Sequence, residues 1–593
     1  SVDDVKFTLV LTVVLVVLVI FLFLRNLSAT FIPSLALPMS VIGTFACMLQ
    51  FKFNLDNISL MALTLAVGFV VDDAIVVLEN IVRHVEAGMP VREASLKGSG
   101  EIGFTIVSMT ISLAAVFLPV LFMGGVVGRL FNEFAVTIVA AILISGFVSL
   151  SLTPMLASIM LKSGGHKQAH GRFYNATERA FQSMLQLYDT TLRWTMRNRR
   201  LTLGFSLALL VVTGALFVYI PKGFIPSEDI GQLTAVTEAE QGISIESMLE
   251  HQNRVADIIA EDPNVESFMS LVGAGGPNAA GNSGRLLIRL KPRHERTQSA
   301  DEVLQSLRKK LAAIPGIKTF LQNPPPINLG ARFTKAMYQY TLQSPNTAEL
   351  FQYSQALEAR LRELPELQDV NSDLQLKNPQ LNLTIDRDKA SSVGLTAMQI
   401  EDALGIAYGP REVSTIFAPN NSYKVMLELS PKFQRDPAAV NLLYVRASSG
   451  KLVPLSTLVR QEVGVGPMAV NHSGQLAAVT LSFNLKPGVS LGQAVDKVQG
   501  TARDLLPAGF TTSFQGTAQA FQSSFQGLWV LLIVSIVVIY IVLGILYESF
   551  IHPLTILSGL PSAGAGALLT LMLFGLDLNL YGFVGIIMLI GIV

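Results

Sequence analysis

Apolar runs long enough to cross a bilayer recur along this chain at about 5–24, 31–51, 58–82, 103–123, 134–161, 201–220, 526–547 and 553–574. A ninth begins at 580 and runs to 593. Between the sixth and seventh runs the pattern changes. Residues 221–520 read as ordinary soluble protein, with helical and alternating segments of normal length. Four corners repeat there: Asp262-Pro263-Asn264-Val265, Ile314-Pro315-Gly316-Ile317, Leu364-Pro365-Glu366-Leu367 and Leu506-Pro507-Ala508-Gly509-Phe510. In each, proline stops a helix and β-forming residues start a strand. Four such units predict two ferredoxin-like (βαβ) subdomains, the second interrupted by a β-rich insertion at about 396–465 that includes Tyr423-Lys424-Val425-Met426-Leu427. The fold class expected is therefore a polytopic α-helical membrane protein carrying a large α+β domain.

A longer repeat sits inside the membrane pattern. Setting Pro38 on Pro561 gives an offset of 561 − 38 = 523 that runs on without a gap, placing Phe51 on Phe574, Leu55 on Leu578 and Gly68 on Gly591. Duplicated halves of this kind mark transporters whose ion sites lie where the halves meet. On the same offset Asp72 and Asp73 face positions 595 and 596, and the chain is expected to be a piece of a longer protein.

Composition adds little until it is divided along the chain. Half the residues are hydrophobic, 15% are charged and the net charge is zero, which gives no nucleic-acid footprint. A single cysteine, Cys47, excludes an intrachain disulfide. Residues 162–200 hold eight Lys/Arg (Lys162, Lys167, Arg172, Arg179, Arg193, Arg197, Arg199 and Arg200) against two acids. That excess marks a cytoplasmic connection and puts 221–520 on the opposite side. Phe173, Thr177, Phe181, Leu185, Tyr188 and Leu192 recur there at helical spacing, as in an amphipathic helix on the inner membrane surface. An ordinary linker helix has the same pattern.

The decisive chemistry is the pair Asp72-Asp73 inside the third run, ISLMALTLAVGFVVDDAIVVLENIV. Intramembrane acids are costly and rare, and they line ion or proton paths. A low dielectric and a like-charged neighbour both favour the neutral acid, so at least one of the two can take and release a proton near neutral pH. The competing reading, a helix end dipping into water, is weakened by apolar residues continuing from Ala74 to Leu78. Glu79 and Asn80 read as a solvated helix end, and Arg83 and His84 as loop residues.

The string Gly68-Phe69-Val70-Val71-Asp72-Asp73-Ala74-Ile75-Val76-Val77-Leu78-Glu79-Asn80 resembles the fourth membrane helix of resistance-nodulation-division (RND) efflux pumps. Phe117-Leu118-Pro119, Gly124-Gly125, Leu152-Thr153-Pro154, Pro221-Lys222-Gly223-Phe224-Ile225-Pro226-Ser227-Glu228-Asp229 and Tyr547-Glu548-Ser549 extend the resemblance over the whole chain. It is nearest to the hydrophobe/amphiphile multidrug branch of MdtB/MdtC and MuxB/MuxC type, whose members assemble as mixed trimers. The resemblance implies the following plan. Residues 1–161 are the second to sixth membrane helices, 162–200 a cytoplasmic amphipathic basic helix and 201–220 a further span. Residues 221–395 and 466–524 are periplasmic porter subdomains, 396–465 a docking insertion, and 525–593 further membrane helices. It implies an inner-membrane drug/proton antiporter of a Gram-negative bacterium, with no cofactor and no metal, and protons as coupling ion. Its partners would be a second RND subunit in a homo- or heterotrimer, a periplasmic adaptor and an outer-membrane channel, and its cargo amphiphilic antibiotics, bile salts and detergents. Asp72 and Asp73 match the family's proton relay; its relay lysine falls just past Val593, so a chain ending there is not expected to pump alone.

The resemblance also implies a drug-binding set. Phe268 matches a pocket phenylalanine, and Tyr338 and Tyr340 match an alternating aromatic pair that period two places on one strand face. For the tyrosines, cross-strand packing stays open as an equal reading. The run GAGGPNAAGNSG, with Gly273, Gly275 and Gly276, matches in position a loop between two drug pockets, but lacks its aromatics. Two alternatives remain. A heavy-metal RND exporter would need the scattered methionines Met248, Met269, Met337, Met398, Met426 and Met468 to cluster for a soft cation. A protein-export accessory of SecD/SecF type would have fewer helices than the 523-residue repeat requires. Seven histidines show no ligand spacing and no nucleophile–base motif appears, so an enzyme is not expected.

Overall fold

The computed structural model describes residues 2–24, 27–161, 172–273, 280–325, 329 and 334–592. Five long helices open the chain: α1 Val2–Leu24, α2 Leu27–Gln50, α3 Asn57–Glu86, α4 Val91–Leu121 and α5 Gly125–Met160. After them come α6 Arg172–Arg197 and α7 Arg199–Tyr219. At the far end stand α15 Gly516–Leu546, α16 Ile551–Leu557, α17 Leu560–Leu573 and α18 Leu580–Ile592, numbered after the soluble helices below. Among the described residues six helical segments are long and apolar enough to cross a membrane: α2, α3, α4, most of α5, α7 and the α16–α17 pair. The last was expected as one span. It breaks at Ser558 and Gly559, because Pro561 at the start of α17 lacks the N–H that would continue the ladder. Of the basic segment, residues 172–197 form α6, whose Phe181, Leu185, Tyr188 and Leu192 are exposed.

The soluble part begins with β1 Gln232–Ala239, α8 Ile245–Ala260, β2 Val265–Val272, β3 Ser283–Leu290, α9 Ala300–Leu311 and β4 Ile317–Gln322. Strand order β2-β3-β1-β4 is the ferredoxin-like arrangement, fully antiparallel. Its core lies between the sheet and α8 and α9, around Leu233, Leu286, Ile288, Val303 and Leu307. The second unit is split. It consists of β5 Tyr338–Ser344, α10 Thr347–Arg362 and β6 Leu367–Ser372, completed much later by β14 Leu476–Leu485, α14 Leu491–Leu505 and β15 Thr511–Gln515. β14 pairs with both β5 and β6, and β15 with β5, so the same order is rebuilt. Between its halves come β7 Asn378–Ile385, α11 Arg387–Ser392, α12 Ala397–Tyr408, β8 Arg411–Phe417, β9 Ser422–Leu427, α13 Pro431–Gln434, β10 Tyr444–Arg446, β11 Leu452–Pro454, β12 Val459–Gly466 and β13 His472–Ser473. The insertion therefore leaves the second sheet earlier than position 396. β7 already pairs with β12 instead of the sheet, making a two-stranded stalk.

The two units are tied by Arg308 on α9 to Asp369 on β6 (2.6 Å), and by Lys335 to Glu238 on β1 (2.5 Å). The second unit is also fused to the membrane helices. β15 passes directly into α15 through Gly516 at φ +59, and one apolar cluster runs from Tyr340 and Phe483 through Phe521 to Phe583, Phe117 and Phe134.

The 523-residue repeat extends to individual hydrogen bonds. At the end of α2, Lys52 takes φ +59; at the end of α17 its counterpart Gly575 takes φ +65. Bonds Phe51 N to Cys47 O and Phe53 N to Met48 O recur as Phe574 N to Thr570 O and Leu576 N to Leu571 O. Asp56 caps α3 by accepting from Ser59 N (2.7 Å), and Asn579 caps α18 by accepting from Gly582 N (2.9 Å).

Candidate functional site

Nothing in the intrinsic helix propensity of Asp72 and Asp73 places them at mid-helix; the apolar turns on either side of them do. Successive helical residues are about 100° apart, so the two carboxyls differ in exposure. Asp73 faces inward and is only 7% exposed, while Asp72 is exposed. Both line a cavity of about 410 Å³ enclosed by α3, α4, α5, α15, the α16–α17 pair and α18. Phe69, Ile539, Leu543, Ile590 and Ile592 supply its apolar wall; Ser108, Thr110 and Ser112 of α4 and Tyr547 supply polar groups. Among the described residues no basic side chain is in this lining.

Small residues bring the helices close enough for this. A side chain at Gly146 of α5 would place Cβ 2.6 Å from Thr110 Oγ1, and one at Gly591 of α18 would meet Leu113 at 2.7 Å. Ser145 donates to Val70 O at 2.7 Å, one residue ahead of the Val71-Asp72-Asp73 turn, and so fixes α3 against α5. The hydroxyls of Ser108 and Ser112 are buried and, among the described residues, bonded to no protein atom. Each can donate and accept, as a group passing a proton must. Sequence reading overlooked them, although their i, i+4 spacing in an apolar helix was visible.

At the other end of α3, Arg83 and His84 are helical rather than looped, because the ladder continues to Glu86. His84 Nε2 lies 2.8 Å from Glu101 Oε2 on α4. Asn80 is buried, donating to Gly98 O (2.7 Å) and to the same Glu101 oxygen (3.3 Å), so it fastens α3 to α4 instead of meeting solvent. Glu79 is exposed as expected.

With this geometry in hand, comparison with known families is direct: the model describing the AcrB/AcrD/AcrF family matches residues 1–593. The chain belongs to that family. It is an RND permease, and its apolar helices and sheet-containing soluble region fit a membrane transporter with an α+β domain. The match over the whole chain favours neither the metal exporter nor the protein-export accessory. The methionines agree: Met248 is sealed in the first core, Met269 is on the opposite face of that sheet, and Met398 and Met426 are exposed on the insertion.

The residues that the RND resemblance assigned to drug binding are not brought together. Phe268 pairs with Ile288 in β3 and packs half-buried on the first core, so its ring is turned toward α8 and α9. Its neighbour Met269, 55% exposed, occupies the outer face. Tyr340 is 3% exposed and packs on Phe514 with centroids 4.7 Å apart; Tyr338 packs on Phe483 at 5.9 Å. They do share a face, but it is the core face of the second sheet, which is the packing alternative. Gly273 ends β2 at φ +64 with its N–H bonded to Ser283 O (2.9 Å). Gly275 and Gly276 lie outside the described residues.

Proposed function

We propose that this chain is the proton-driven antiporter subunit of an inner-membrane multidrug efflux assembly, and that Asp72 and Asp73 load and discharge the protons. The observation that carries the reading is Asp73, a carboxyl sealed among apolar helices beside a second carboxyl, on a cavity where the two membrane repeats meet. A buried carboxyl beside a second acid requires a proton or a countercharge, and exchanging one for the other changes which helix packing is stable. A membrane potential of roughly 150–200 mV supplies about 3.5–4.5 kcal/mol per proton, enough for about a thousandfold gradient at one proton per molecule.

RND permeases act as trimers with adaptor and outer-membrane channel proteins. For this chain we assign a homo- or heterotrimer of MdtB/MdtC or MuxB/MuxC type, a periplasmic adaptor and an outer-membrane channel. The α+β units then work as the porter in the periplasm of a Gram-negative cell, the 378–466 insertion docks toward the channel, and α6 lies on the cytoplasmic membrane surface. Substrates are amphiphilic antibiotics, bile salts and detergents.

The test is Asp72→Asn and Asp73→Asn in the full-length pump reconstituted in proteoliposomes. A proton gradient should drive drug efflux from the parent and from neither variant, with unchanged melting temperatures. Parental efflux from either variant would end the assignment.

A further inference from the structure

A line of hydroxyls leads from the aspartate cavity along α4 to a further carboxyl, Glu101. α4 has 31 residues, about 46 Å of helix, whereas a hydrocarbon core is about 30 Å thick. Its charged residues Arg92, Glu93, Lys97 and Glu101 all precede its apolar run, so the excess length projects from one side of the bilayer. With 162–200 cytoplasmic, as proposed, that side is the cytoplasmic one, because α4 and α5 cross out and back before the basic segment. Glu101 therefore stands at the membrane boundary, its side chain 40% exposed. From it Thr105, Ser108 and Ser112 follow at steps of four, three and four residues, within about 60° of one another around the helix. Thr105 is exposed, while Ser108 and Ser112 line the cavity that holds Asp72 and Asp73. Each step rises by about 4.5–6 Å, a gap that one bridging water closes.

The cytoplasmic end of this line is a built site. His84 Nε2 lies 2.8 Å from Glu101 Oε2, Asn80 Nδ2 donates to the same oxygen at 3.3 Å, and Arg83 Nη2 is 3.6 Å from it. Lys97, one turn back on α4, is the other charged group facing the carboxyl. Gly98 lets the two helices approach here: a Cβ on it would stand 3.1 Å from the Ile81 Cα. All of these contacts fall on Oε2; among the described residues Oε1 has no bonded partner.

We propose that Glu101 is the acceptor through which protons leave the aspartate cavity toward the cytoplasm, delivered along Ser112, Ser108 and Thr105. This assignment rests on the proton-driven reading and adds its exit. A proton leaving Asp73 restores that carboxylate. Each hydroxyl oxygen on the line accepts one proton and gives up another, so it is unchanged after the passage. The proton ends on Glu101 Oε1 and passes from the exposed carboxyl to water. His84 and Asn80 are positioning residues, fixing the carboxyl by its other oxygen.

The test uses the full-length pump in proteoliposomes with its cytoplasmic face outward and an acidified lumen. Glu101→Gln should slow proton-coupled drug transport on the order of a hundredfold, the low end of what a placed proton acceptor contributes, with the drug KM unchanged. Glu101→Asp should keep most of the rate. MES, a proton acceptor that does not cross the membrane, should restore Glu101→Gln when added to the cytoplasmic face and not when sealed in the lumen. Ser108→Ala combined with Ser112→Ala should also lose transport, but MES should not restore it, because that break lies inside the membrane. Parental transport by Glu101→Gln or by the double alanine variant would overturn the proposal. So would a Glu101→Gln loss that cytoplasmic MES leaves in place, since Glu101 would then only fasten α3 to α4. Asp73→Asn separates the two readings. If it is silent while Glu101→Gln pumps normally, only the exit is wrong; if it pumps, proton-driven export through the aspartates fails as well.

Discussion

Arg296 and Asp229 form a bidentate ion pair in the soluble domain, and its carboxyl contributes to acid stability. The Arg296 side chain is 1% exposed and grips both oxygens of Asp229, at 2.8 and 3.1 Å, while the N–H groups of Ala300 and Gly231 add two more bonds. The guanidinium first, and the backbone donors after it, hold the Asp229 carboxyl below its usual range against the opposing effect of burial. A depressed folded-state value means the stabilisation is complete above the unfolded value near pH 4 and is lost as pH falls through the lower folded value. Asp229→Asn should therefore cost about 3 kcal/mol at pH 7, because it strands a buried guanidinium. It should also flatten the loss of melting temperature between pH 5 and pH 3; an unchanged acid profile would remove Asp229 from that role. The adjacent pair Phe268 and Met269 gives a second test at this scale. Phe268→Ala should destabilise the first sheet by about 2 kcal/mol, and Met269→Ala by less than about 0.5 kcal/mol, read by chemical unfolding. The reverse order would mean that the faces of β2 are exchanged.

Among the elements, the proline corners were readable in advance and all four are present. α8 gives way to β2 at Pro263, α9 to β4 at Pro315, α10 to β6 at Pro365 and α14 to β15 at Pro507. They were legible because a proline and a following β-rich run act locally. What failed to show was whatever depends on a distant partner. Phe268 matches a pocket phenylalanine by position, but the face of β2 on which it lies is set only by pairing with β3, since a one-residue shift exchanges the faces of a strand. The insertion was begun at 396 because β7 looks like any strand until its partner proves to be β12. Helix α3 was ended too soon because hydropathy falls before the hydrogen-bond ladder does. The membrane repeat, being a comparison of the chain with itself, was legible and extends to its turns. Lys52 and Gly575 hold the same left-handed turn, which a residue with a Cβ adopts at a cost of about 1 kcal/mol. Lys52→Gly should raise the melting temperature of the detergent-solubilised protein, and Gly575→Ala should lower it by a similar free energy of about 1 kcal/mol. Should Lys52→Gly melt below the parent, the turn is held by something its neighbours do not show.

At the scale of the whole molecule, the proposed export requires proton chemistry near Asp73 to reach the sheets, and beside the run of β15 into α15 a hydrogen-bonded joint links the membrane helices to them. The segment leaving α7 is stitched to the turn before α18: Leu578 N donates to Pro221 O (2.8 Å), Gly223 N to Leu578 O (3.2 Å) and Leu580 N to Phe224 O (3.0 Å). The same segment receives Gly492 N on Lys222 O (3.0 Å) from the start of α14, and the Phe224 ring packs edge-on to Phe521 of α15. Residues 221–224 thus join α18, which lines the aspartate cavity, to the start of α14 and to α15, and they lead along the chain toward β1. Two glycines keep the joint closed. A Cβ at Gly223 would come within 2.9 Å of the Asp577 Cβ, and one at Gly492 within 3.2 Å of both the Lys222 Cβ and its carbonyl oxygen. Alanine at either position presses the joined segments apart at a local cost of about 1–3 kcal/mol, too little to unfold a protein of this size. Gly223→Ala and Gly492→Ala should consequently fold and insert in the membrane as the parent does, yet lose most proton-driven transport in proteoliposomes. If both variants transport at the parental rate, the membrane helices and the sheets communicate elsewhere. The direct run of β15 into α15 through Gly516 would then be the remaining covalent route.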